Sequence, residues 1–218
     1  MGTISENKLG GLALVVGPIV GLASWLIRPG GGLVGGTVDP ANAKASIGAL
    51  MANADMANIS LILGPIGIVL LFTGLRHVVE TVLKGNNGGA LASLGVPMIL
   101  MVTIGWVIGA ALTNTIASGS AGAGAGALYA SQLGIQLTVG IIGGIGFLLV
   151  TLAATTNDFF NKNFAYAATA AAAVALVCSI LGANDLSQLQ LMSQITGVSW
   201  VVLTIWSVTV GLAVMKKG

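Results

Sequence analysis

The side chains of this 218-residue sequence with the most capacity for polar chemistry in apolar surroundings are a few amides. Gln132 and Gln136 stand four residues apart, as do Gln190 and Gln194. On a helix, residues at that spacing lie one above the other, so each pair shares a face. An uncharged amide both donates and accepts, and so replaces water around a solute without attracting counterions. Asn114, preceded by Thr113, and Asn58, followed by Ser60, place polar groups at the ends of two further apolar runs. Gln132, Gln136, Gln190, Gln194 and Asn114 therefore outline a candidate polar vestibule. The competing reading is hydrogen bonding between helices, the commonest use of amides in membrane bundles.

Other chemistry is thinly supplied. His77 is the single histidine, so neither a haem held by two histidines nor a multi-histidine metal site can be built within the chain. It follows Arg76 near the end of an apolar run and is expected at an exposed interface. Cys178 is the single cysteine, which excludes an intramolecular disulfide, and in its apolar setting it reads as a small core residue. The apolar runs hold no central Asp, Glu or Lys to relay protons, sense voltage or carry a Schiff base. No catalytic, cofactor-binding or metal-binding constellation is expected, and a net charge of +2 gives no reason to expect nucleic acid as a partner.

The elements that must position these residues follow from composition. The sequence is 56% apolar and 6% charged, with a mean hydropathy of +0.99. Soluble domains carry about 25% charged residues. So little charge cannot cover a water-exposed surface, so the surrounding medium must be lipid. A bilayer core takes about 20 apolar residues per helix. Six segments qualify, at about 9–27, 57–79, 91–112, 128–153, 164–181 and 191–215. An all-α bundle of six transmembrane helices in one domain, 1–218, is the expected fold. Met1 to Lys8 is polar and the apolar run after it is too long for a signal-peptide core, so no cleavable leader is expected. Glu6 replaces the Ser or Thr a myristoylation motif needs.

Lys and Arg accumulate on cytoplasmic loops. With the N-terminus inside, the inner side would hold Lys8, Arg76, Lys84, Lys162, Lys216 and Lys217, and the outer side Arg28 and Lys44. That asymmetry predicts both termini inside, in the plasma membrane of a prokaryote. The long outer connection, 28–56, opens on Pro29-Gly30-Gly31-Gly32 and reaches Asp39-Pro40, a predicted N-cap and first helical residue. A short interfacial helix should follow, with Ile47, Leu50 and Met51 on one face. The Gly/Ala/Ser segment 118–126 should be flexible. Inside, Arg76–Glu80 and Glu80–Lys84 are i,i+4 pairs that should support an overrunning helix end.

Packing is written in small residues. Gly17 and Gly21, Gly105 and Gly109, and Gly140 and Gly144 are each spaced i,i+4, a pattern that lets membrane helices approach closely. Pro18, Pro65 and Pro97 fall inside helices and free the carbonyls of Leu14, Leu61 and Ser93. Such carbonyls bind ions in some transporters; more often the kink is satisfied locally. Trp25 and Trp200 read as interfacial anchors, whereas Trp106 and Trp206 lie deeper and should pack. "VVGPIVG" (15–21) resembles "ILGPIGI" (62–68), but no transporter-like repeat of the whole is visible.

The stretch "DPANAKASIGALMANADMANISLILGPIGIVLLFTGLRHVV" (39–79) resembles a pattern in uncharacterised bacterial six-helix membrane proteins. In those proteins an outer Asp-Pro-Ala helix leads into an apolar helix ending in Leu-Arg-His. The resemblance implies the same six-helix architecture and carries no activity. The first functional reading is a non-catalytic structural or accessory subunit packing against lipid, other membrane subunits or itself. The alternative is a channel or facilitator for a small uncharged solute. A continuous polar path through the bundle would favour the second, and amides all paired within it the first.

Overall fold

A computed structural model describes residues 4–31 and 33–217 and shows an all-α bundle. The helices are α1 (Glu6–Ile27), α2 (Ala43–Ala52), α3 (Ala54–Val78), α4 (Gly89–Ala117), α5 (Ala125–Thr155), α6 (Lys162–Asn184) and α7 (Leu189–Met215). Six of them, all but α2, are long and apolar enough to cross a membrane. Each packs on its neighbours in the chain, and α7 packs back on α1, so the six close into a ring in the order α1–α3–α4–α5–α6–α7. The start of α1 and the end of α7, with Lys216, lie at one end of the bundle, where Gly11 faces Met215; Arg28, after the last residue of α1, lies at the other.

Ring closure between the first and last long helices has a local cause. Pro18 deprives the Leu14 carbonyl of its helical donor. The Ser207 hydroxyl on α7 donates to that carbonyl at 2.8 Å, and both residues are buried. The kink is thus satisfied by another helix rather than by its own. Glycines bring the same seam together: a Cβ on Gly211 would lie 2.5 Å from the Gly11 carbonyl oxygen.

The structure corrects three local expectations. The interfacial helix α2 begins three residues late. Asn42 is its N-cap, accepting from the Ala45 N–H at 3.0 Å, while Asp39 accepts from the Ala41 N–H and makes a turn. An Asx turn at Asp39-Pro40 competes with capping and wins. On α2, Leu50 is buried and Met51 exposed.

The second concerns the charge ladder on α3. Arg76 and Glu80 pair at 2.8 Å, but Lys84 does not join them. Residues Val79–Leu83 form a π-turn, closed by the Lys84 N–H donating to the Val79 carbonyl, and Lys84 itself is extended. The wider turn rotates Lys84 off the face that an i,i+4 count assigns to it.

The third is His77, which is partly buried rather than free at the surface. Its Nε2 lies 2.9 Å from Asn7 Oδ1, and its ring fills the space over Gly10. The segment after α4 folds into a turn and a single 3-10 turn, Gly122–Gly124, with Gly119 and Gly122 at positive φ.

Candidate functional site

Toward the Lys216 end the ring is filled. Leu14, Leu75, Val78, Val150, Trp206, Val210 and Val214 are buried in one apolar cluster. Toward the Arg28 end it is hollow. A partly open cavity of about 350 Å³ lies on the axis and is lined by all six long helices. Its deepest walls are Leu71, Ala172, Phe147 and Leu203, which also belong to that apolar cluster and form the floor where the filled part begins. Phe147 and Trp200 meet edge to face across this floor, with centroids 5.0 Å apart.

The connection from Pro29 to Pro40 and the helix α2 contribute Gly30, Thr37, Val38, Pro40, Ser46 and Leu50 to the same cavity. Paired backbone contacts, Pro29 with Val34 and Gly31 with Thr37, give this connection its shape. Gly30 at φ +83° supplies a left-handed turn that a side chain would strain. The Tyr129 hydroxyl donates to the Pro40 carbonyl at 2.8 Å and ties the cover to α5.

The cavity is mainly apolar and aromatic. Trp25 (α1), Trp106 (α4), Trp200 (α7), Tyr129 and Phe147 (α5) supply its rings. Trp25 also packs against Gly197, where a Cβ would lie 2.5 Å from the edge of the ring. Polar groups enter at chosen points. Gln136, Ser193 and Gln190 line the wall, and Arg28 lines both the cavity and a side recess of about 30 Å³ shared with Gln136, Trp106 and Thr113. Burial pushes the Arg28 guanidinium down from its ordinary value, with Tyr129 acting in the opposite sense. Arginine remains protonated through such a shift.

The proposed vestibule residues separate. Gln136 and Gln190 line the cavity, partly buried. Gln194 borders it but is exposed on the flank of α7. Gln132 turns toward α4 instead: it is 1% exposed, and its Nε2 has no hydrogen-bond partner among the described residues. Asn114 is exposed and away from the cavity. Thr113 is the inward residue there, its hydroxyl donating to the Gly109 carbonyl at 2.8 Å, and one helical step rotates Asn114 outward.

The paired glycines divide likewise. A Cβ on Gly17 would lie 2.5 Å from the Leu71 N, one on Gly105 2.5 Å from Val139, and one on Gly144 2.9 Å from the Leu176 Cα. Gly21 faces open space, Gly109 meets Gln132 only at 4.0 Å, and Gly140 meets the Ser179 hydroxyl at an ordinary 3.4 Å. Gly21 and Gly140 line the cavity and Gly109 the side recess. Spacing alone finds the glycines but not which of them touch.

No family model matches the sequence, and no curated protein or solved structure is detectably similar to it. The chain is membrane-embedded by the length and composition of its six apolar helices. Among the described residues no group of three or more His, Cys, Asp or Glu is placed to hold a metal ion.

Sequence reasoning passed over the aromatic lining and Arg28. Residues 190, 193, 197, 200 and 204 recur at three- and four-residue steps on α7 and carry Gln, Ser, Gly, Trp and Thr. A stripe of polar and small residues in an otherwise apolar helix marks a face that does not see lipid.

Proposed function

We propose that the protein is a solute-binding carrier or facilitator of a prokaryotic plasma membrane, taking a small organic solute into the central cavity from the outer side. The observation that carries this reading is the closed ring of six helices around a cavity of about 350 Å³, within the range of roughly 300–1,000 Å³ typical of small-molecule sites. The outer side is the Arg28 side, on the distribution of Lys and Arg. The apolar core below Phe147 and Leu203 closes the inner half, so passage requires that core to part, as in alternating access. The packing-subunit reading has narrower support: of the four candidate vestibule glutamines, only Gln132 turns from the cavity into a helix seam.

Thiol labelling tests this. Ser193→Cys, in a Cys178→Ala background, should react with a membrane-impermeant reagent added to the outer face of sealed vesicles. Val210→Cys, on the same helix in the packed half, should not. Absence of reaction at position 193 would reject the reading, because a solute could not enter either.

A further inference from the structure

Resting on that reading, we infer that the solute is an organic anion with an apolar body: its negative head at Arg28 and Gln136, its body among Trp25, Trp106 and Trp200. Arg28 directly follows the last residue of α1, where an arginine ordinarily extends outward to headgroups and water. Here it lines the central cavity and the recess between α1, α3 and α4 instead.

The described ion pairs are Arg76–Glu80 and Lys162–Asp158, so no carboxylate of the described residues lies within ion-pair distance of Arg28. No acidic residue lines the cavity either. Arg28 is partly buried, and a cation partly withdrawn from water is stabilised by any anion that pairs with it. Arginine's five fixed donors suit a planar carboxylate or a phosphate. The Gln136 amide, in the same recess, adds a donor beside it.

The rest of the lining selects the body. Aromatic rings with few polar groups favour an apolar chain or ring over a sugar-like solute, which would need a polar partner for each hydroxyl. Cations are disfavoured twice, by Arg28 and by the absence of acidic lining.

The test uses the full chain in phosphatidylcholine nanodiscs, carrying Ser193→Cys and Cys178→Ala. Octanoate, octylamine and octanol, matched in chain length, are compared for protection of that cysteine. Octanoate should protect best. Arg28→Gln should weaken octanoate by roughly tenfold or more, the usual worth of a charge-assisted hydrogen bond, and leave octanol unchanged. Arg28→Lys, which keeps the charge, should restore most of the protection and guards against a folding defect. Repeating the labelling in anionic-lipid nanodiscs without octanoate separates sources. Protection there that Arg28→Gln removes assigns the same anion site to a bilayer lipid. Equal protection by octanoate and octanol, indifferent to Arg28→Gln, would overturn the anion inference while leaving a solute cavity intact. No protection by any of the three at a cysteine that still reacts would also overturn it. A cysteine that never reacts would instead reject the functional reading beneath it.

Discussion

The two halves of this bundle use the same helices and nearly the same residues, and one is filled while the other is hollow. At the Lys216 end, glycines stand where helices touch. Gly74 faces the Gly10 carbonyl, Gly95 faces the Gly146 carbonyl, and Gly211 faces the Gly11 carbonyl, all closer than a Cβ would allow. At the Arg28 end, a side chain on Gly21 would point into open space and one on Gly140 would meet only the Ser179 side chain at an ordinary 3.4 Å, and both glycines line the cavity. In lipid no hydrophobic force pulls helices together, so close contact depends on small residues that meet. The same residue closes one half when its missing side chain faces a backbone, and opens the other when it faces the axis.

The largest expected effect separates those two uses. Gly67→Ala and Gly144→Ala each push a methyl into a backbone, at 2.5 Å from the Gly21 N and 2.9 Å from the Leu176 Cα. Each should destabilise by about 1–3 kcal/mol, the range for overpacking. Gly21→Ala, facing open space, should be close to neutral in the same detergent unfolding assay. Similar losses at all three positions would break the distinction between touching and vacant glycines.

A smaller effect tests ring closure. Ser207→Ala removes the donor to Leu14 and leaves a buried carbonyl that Pro18 has already stripped of its helical partner. The expected loss is about 0.6 kcal/mol, the average for hydrogen bonds between membrane helices, and at most about 1.7. Ser193→Ala, on the cavity wall of the same helix, should lose less. A sharper version pairs Ser207→Ala with Pro18→Ala: restoring the backbone donor should recover part of the loss.

How much of this was legible in the sequence depends on what each feature needs. Six helices follow from apolar runs, because a bilayer sets their length directly. Ring closure does not, because the bond from Ser207 to Leu14 joins residues 193 apart, and no local pattern announces it. Of the five vestibule residues, Gln136 and Gln190 line the cavity and Gln194 borders it, while Gln132 and Asn114 turn elsewhere. Spacing puts Gln132 and Gln136 on one broad face, but a ring divides that face between the seam with α4 and the axis. Arg28 read as a charge on the outer side; its inward direction follows from the packing of α3, α4 and α5 around the end of α1.

The smallest expected effect is at the rim. Asp185 lies in the turn between α6 and α7, and its carboxyl is held below the usual range by the Ser187 hydroxyl, then by the Ser187 N–H and the Gln188 amide. A carboxylate with a lowered folded-state value stabilises above its unfolded value and loses that contribution as pH falls through the folded one. Acidification below the ordinary carboxylate range should therefore fray Leu186–Gln188, read as faster amide exchange there, and Asp185→Asn should remove the pH dependence. Because the group is exposed, the packed half should not respond. A pH-dependent change at Val210 or Val214 would show the halves to be coupled.

Hydroxyl-radical footprinting of the native protein in nanodiscs compares the halves without any substitution. Trp25, Trp106 and Trp200 line the cavity, and Trp206 is 3% exposed in the packed half. Water in the cavity should leave the first three tryptophans oxidised well ahead of Trp206. Trp206 reacting as fast as Trp200, or all four reacting equally slowly, would contradict a bundle hollow at the Arg28 end and sealed at the other.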